Sequence, residues 1–147
     1  MSSLEDQLNR AVGELQLIEQ LINEARTRIS ALQALVAEYE GALNFIEEMS
    51  KNTSSMKILV PIGGGNYVHA EITDSGKIEV SIGAGVIVTK TLQEGREIVE
   101  RRKENIVKLI QSYEQRLEQY VRRENELKNI IDALSAQIRE KESGKIM

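Results

Sequence analysis

The hydrophobic positions of this chain repeat every 3.5 residues at both ends and every second residue in the middle. In the first segment, Leu4, Leu8, Ala11, Leu15, Ile18, Ile22, Ala25, Ile29, Leu32, Val36, Tyr39, Leu43 and Ile46 alternate four and three residues apart without a miss over six heptads. A lone surface helix drifts off a strict 3.5-residue repeat, so this register predicts a left-handed coiled coil. Ser2 and Glu5 have capping-box spacing for its start. Gly13 and Gly41 fall outside the seam and cost about 1 kcal/mol each. A second seam runs through Val99, Lys103, Ile106, Ile110, Tyr113, Leu117, Tyr120, Glu124, Leu127, Ile131, Leu134 and Ile138, interrupted only by Lys103 and Glu124. Thr91 and Glu94 have the spacing that opens this helix at Leu92, and Ser143-Gly144 is where it is expected to fray. At ~1.5 Å per residue the two helices span roughly 65 and 75 Å.

Between the seams the period changes to two. Lys57-Ile58-Leu59-Val60 is a short β-branched run, and Val68, Ala70 and Ile72 share one face of the next. Ile78, Val80 and Ile82 alternate with Lys77, Glu79 and Ser81, and Val86-Ile87-Val88 closes the region. Turn signals at Gly63-Gly64-Gly65-Asn66, Asp74-Ser75-Gly76 and Gly83-Ala84-Gly85 separate four strands, read as two β-hairpins. The chain is therefore α+β: residues 1–51 form an N-terminal coiled-coil helix, 52–90 two inserted hairpins, and 91–147 a C-terminal coiled-coil helix. The simplest packing folds the helices back as an antiparallel two-helix coiled coil with both termini at the far tip. Four short strands bury too little surface alone and leave unpaired edges. Oligomerisation through residues 56–90 follows, carried by Ile58, Val60, Val68, Ala70, Ile72, Ile78, Val80, Ile82, Val86 and Val88.

Composition narrows the chemistry. Only 3% of the 147 residues are aromatic while 29% are charged, which suits an elongated helical protein. The net charge of −4 argues against nucleic acid, because neutralising phosphates takes a concentrated basic surface. Cysteine is absent, which removes disulfides, thiolate metal sites and a Cys nucleophile. The opening residues show no secretory pattern, and no apolar run approaches the ~18 residues of a membrane span, so a cytoplasmic protein without a membrane partner is expected. The triple glycine is followed by neither Lys-Ser/Thr nor a helix, so it reads as a turn rather than a phosphate cradle. His69 is the single histidine and reads as a half-exposed strand residue; one histidine builds neither a His-based triad nor a multi-His metal site. Arg96, Arg101, Arg102 and Lys103 alternate with Glu97, Glu100 and Glu104, which reads as a solvated helix face with docking as the second reading. No catalytic residue, metal site or cofactor is indicated.

Val60-Pro61-Ile62-Gly63-Gly64-Gly65 with Tyr67-Val68, then Val80-Ser81-Ile82-Gly83-Ala84-Gly85-Val86 and the helix-opening Lys90-Thr91-Leu92, resemble the α class of prefoldin, the archaeal-type subunit. The sequence motif covers about Val60 to Gly95, and the architecture covers the whole chain. The resemblance implies a hexamer of two α and four β prefoldin subunits, whose hairpins join into an intersubunit β-barrel platform. It further implies an ATP-independent chaperone that holds non-native polypeptides at the coiled-coil tips and delivers them to a group II chaperonin. In this chain the tip comprises Leu4, Leu8, Ala11 and Val12 facing Leu127, Ile130, Ile131, Leu134 and Ile138, with Ile146-Met147 beyond. The bland reading is that these residues simply close the coiled coil. The rival functions are a structural or tethering coiled coil and a filament-forming protein of the prefoldin type.

Overall fold

The computed structural model describes residues 3–52 and 54–146. Its elements are α1 (Leu4–Lys51), β1 (Met56–Gly63), β2 (Asn66–Ile72), β3 (Lys77–Gly83), β4 (Val86–Thr91) and α2 (Leu92–Ile146). The expected cap residue Ser2 lies outside the described residues. The cap that is described is Ser3, whose Oγ accepts from the Asp6 N–H at 3.1 Å and whose carbonyl accepts from the Gln7 N–H. Glu5 and Asp6 place negative charge in the first turn, where the helix dipole favours it. At the far end the Asn52 side chain donates to the Glu48 carbonyl at 2.7 Å and its backbone N–H to that of Met49. These bonds satisfy carbonyls that a helix end otherwise leaves open.

The strands form two separate two-stranded antiparallel sheets, β1-β2 and β3-β4. They share one construction. The Gly64-Gly65 and Ala84-Gly85 loops all have positive φ, the requirement of a type I′ hairpin turn. Each sheet also carries a register irregularity just before its turn, between Pro61 and Gly63 and between Ser81 and Gly83, so Ile62 and Ile82 are the extra residues of two equivalent bulges. The sequence repeats accordingly: Val60-Pro61-Ile62-Gly63 and Val80-Ser81-Ile82-Gly83 occupy the same places in the two hairpins. Thr91 then caps α2, its Oγ1 accepting from the Glu94 N–H at 3.2 Å while its hydroxyl donates to the Glu94 carboxylate at 3.0 Å. The helix opens at Leu92 and continues through Ser143-Gly144 to Ile146, beyond the expected fraying point. Neither residue interrupts the intrahelical ladder, because both keep a backbone N–H.

The chain divides into two compact units, Met1–Gln33 with Lys108–Met147, and Ala34–Val107. In the first, α1 and α2 run antiparallel. Arg123 forks onto Glu14 with Nε and a terminal nitrogen at 2.8 and 3.0 Å. The core is the seam itself: Ala11, Ile22, Ala25, Ile29, Ile110, Leu127 and Leu134 are buried, Leu127 to 1% exposure. In the second unit Ile46, Met49 and Val80 form the buried centre. Ion pairs from Arg96 to Glu47 at 2.7 Å and from Lys103 to Glu40 at 3.4 Å mark the same antiparallel sense there. The polar seam residue Lys103 thus reaches out of the seam to a carboxylate on the other helix. Glu124, the other seam interruption, pairs with Lys128 one turn on.

Candidate interaction surfaces

The hairpins' registers define their faces. Pairing of Met56 with Ile72, Ile58 with Ala70 and Val60 with Val68 puts the expected apolar set of β1 and β2 on one face. Ile58, Val60, Ala70 and Ile72 are half-buried there and Val68 is exposed. The other face pairs Lys57 with Glu71, Leu59 with His69 and Pro61 with Tyr67. It also presents large apolar groups, because Leu59 and Tyr67 are exposed, as is the bulge residue Ile62. Alternate positions alone do not reveal this second face. Its sequence signal is the unbroken run Ile58-Leu59-Val60 and the pair Tyr67-Val68, since strands covered on both sides read as continuous apolar runs. His69 is exposed on that face beside Leu59.

The second hairpin is tied to the helices of its own chain. Ile78 packs on Gly95, where an added Cβ would lie 2.6 Å from Ile78 Cγ1. Val80 is 5% exposed. Arg102 of α2 donates to the Ser81 carbonyl at 2.7 Å, and the Leu92 N–H to that of Gly76 at 2.9 Å. Ile78, Val80 and the half-buried Val88 therefore contribute to intrachain packing, while Ile82, Val86 and Ile87 remain exposed. Between this hairpin and the helices lies an apolar groove of about 560 Å³, walled by Phe45, Ile46 and Met49 of α1, Ile72 and Ile78 of the strands and Val99 of α2. The basic cluster is accounted for in the same unit: Arg96 and Lys103 hold carboxylates of α1 and Arg102 holds β3, so three of its four members tie α2 to its neighbours there.

In the unit of Met1–Gln33 and Lys108–Met147, Ala11, Leu127 and Leu134 are buried in the seam, and Leu4, Leu8, Ile131 and Ile138 are half-buried. Val12 and Ile130, which flank the seam, are 36% and 40% exposed. The side chains of Ile146 and Met147 lie outside those described.

A family model for the prefoldin subunit matches residues 18–137. The chain belongs to the prefoldin subunit family. Among its relatives, the prefoldin subunit alpha of Thermofilum pendens is 32% identical over 134 residues, covering 91% of this chain and 93% of that one. The prefoldin subunit alpha of Methanococcoides burtonii is 30% identical over 110 residues, covering 75% and 79%. A subunit in the cryo-EM structure of filamentous prefoldin from Methanocaldococcus jannaschii superposes with a TM-score of 0.62 at 20% identity, over 92% of this chain and 98% of that one. That likeness concerns the fold: two long helices with inserted small hairpins. The α-class prefoldin resemblance carried by the hairpin motif thus extends over most of the chain. Prefoldin is a family of chaperone subunits rather than an enzyme class, and membership implies assembly with other prefoldin subunits. No described helix is long and apolar enough to cross a membrane.

Proposed function

We propose that this chain is the α-type subunit of an ATP-independent holding chaperone. Its hairpins pair with those of β-class prefoldin subunits in an α2β4 hexamer, closing a β-barrel platform. Its coiled-coil tip binds non-native polypeptides in the cytoplasm and passes them to a group II chaperonin. The observation that carries this reading is the distribution of exposed apolar surface. Of the twelve large apolar side chains exposed among the described residues, seven (Leu59, Ile62, Tyr67, Val68, Ile82, Val86 and Ile87) lie on the hairpins. A monomeric protein rarely leaves such a patch in water, and two-stranded sheets are marginal alone, so the hairpins are built to be covered. Val12 and Ile130 support the holding role, since a client without fixed shape offers only apolar area, each contact contributing ~25 cal/mol per Å² buried. Several weak tips acting together supply avidity.

The test is an aggregation assay with a chemically unfolded client, run without nucleotide on the sized complex of this chain and a β-class subunit. A hexamer of fixed size that keeps the client soluble, and loses that capacity on V12S/I130S substitution, is the expected result. A hexamer that leaves the client to aggregate would replace holding by tethering. Assembly that grows with concentration without a fixed size would favour the filament reading.

A further inference from the structure

The coiled coil carries a second, chemically different surface within the unit formed by Met1–Gln33 and Lys108–Met147. The small, buried Ala25 of α1 and the bulky, half-buried Tyr113 and Tyr120 of α2 line one recess of this unit. The recess has a volume of about 320 Å³, and these residues share it with Leu21, Glu24, Arg28 and Arg116. One arginine lines it from each helix. Neither Arg28 nor Arg116 has a carboxylate partner among the described residues, in contrast to Arg122 and Arg123 one to two turns along α2, which hold Glu118 and Glu14. Arg116 instead sits over the Tyr113 ring, 5.5 Å from its centroid. That contact is within cation–π range and limits the side chain's freedom, so less entropy is lost when the guanidinium engages an anion.

We propose that this recess is a binding site for a short acidic peptide segment of a partner protein. Arg28 and Arg116 would take its carboxylates, and Leu21 with the two tyrosines would cover an adjoining apolar side chain. Guanidinium–carboxylate pairs formed from opposite sides of the recess are charge-assisted and directional. The tyrosine rings add contact area at small entropic cost. The rim selects a peptide over a continuous polyanion. Glu19 and Glu24 line an adjoining groove with Arg28, and Glu114 and Glu118 flank Arg116 along α2. A nucleic-acid backbone continuing past the two arginines would meet all of these carboxylates, whereas one or two acidic side chains held in the recess would meet only Glu24. The site is separate from the apolar tip, and the inference does not rest on the holding role.

The experiment measures fluorescence anisotropy of a labelled peptide repeating Glu-Glu-Leu, titrated with the full chain. Its Gln-Gln-Leu analogue and a labelled oligo-dT serve as comparison probes. Loss of one charged hydrogen-bonding partner should weaken peptide binding about tenfold in Arg28→Gln and in Arg116→Gln. Glu24→Gln should tighten it, a gain that a misfolded variant could not mimic. V12S/I130S should bind as the native chain does. Added salt should weaken the complex. Native affinity in both arginine variants, equal affinity for the glutamine analogue, no binding by the native chain, or tighter binding of oligo-dT would each overturn the proposal.

Discussion

Alanine at Gly95 and alanine at Gly13 or Gly41 are the same chemical change in the same kind of helix, and the structure gives them opposite signs. At Gly13 and Gly41 an added Cβ meets nothing within 4 Å. Each substitution should therefore realise the helix-propensity gain, about 1 kcal/mol. At Gly95 the new Cβ would lie 2.6 Å from Ile78 Cγ1 and closer still to Cδ1. Ile78 cannot withdraw by a small rotation, because Cγ1 moves only with χ1 and a β-branched residue has few χ1 choices. Either the isoleucine leaves its rotamer or β3 lifts from α2, and an overlap this deep belongs at the upper end of the usual overpacking cost, about 2–3 kcal/mol. Set against the propensity gain, Gly95→Ala should destabilise by roughly 1–2 kcal/mol, lowering Tm by about 3–6 °C for a chain of this size. Gly13→Ala and Gly41→Ala should each raise it by about 3 °C. Circular-dichroism melts at one fixed concentration read all three, since assembly makes Tm concentration-dependent. Ile78→Ala supplies the control: in that background the obstructing atoms are gone, and Gly95→Ala should become stabilising. A Gly95→Ala variant as stable as the native chain, or equally destabilised with and without Ile78, would refute the steric argument.

Three further outcomes follow from single features. Ala84 sits at φ 51°, where an L side chain crowds the following carbonyl, so Ala84→Gly should stabilise the second hairpin by about 1 kcal/mol in a denaturant melt. Leu127, the most deeply buried side chain, should cost about 2–4 kcal/mol on replacement by Ala, read as an earlier loss of helical signal. The fork from Arg123 holds the Glu14 carboxyl below the usual carboxylate range. A depressed acid stabilises the fold above its unfolded pKa and loses that contribution as pH falls through the lower folded value. Glu14→Gln should therefore lower stability slightly at neutral pH and converge with the native chain in acid, flattening the acid limb of a helicity titration. The effect should shrink in high salt because the pair is exposed.

What could be read from the chain alone was what depends on local periodicity. All thirteen seam positions of α1, from Leu4 to Ile46, are buried or half-buried, because a 3.5-residue repeat dictates one inward stripe whatever it packs against. The turns were legible for a similar reason: Gly64, Gly65 and Gly85 supply the positive φ that side-chain-bearing residues rarely adopt. Features that depend on distant residues were not. In sequence Gly95 is only a weak helix former, and its purpose appears when Ile78 arrives from β3. Arg96, Arg102 and Lys103 read as a solvated face because their partners Glu47, Ser81 and Glu40 are far away in the chain. The second apolar face of the first hairpin was hidden by counting alternate positions only. Leu59 and Tyr67 become informative when the whole run is weighed.

The separation of the strands into two sheets sets how this chain can be wired into a larger assembly. Four strands in one sheet would have two free edges and could only lengthen a single ribbon. Two independent pairs have four edges, so one polypeptide can belong to two strand-paired ribbons at once. In any network built by edge pairing, a chain with a single hairpin is a link within one ribbon, whereas this chain is a coupler between two. Removing it would not shorten the assembly by one unit but would cut one half from the other.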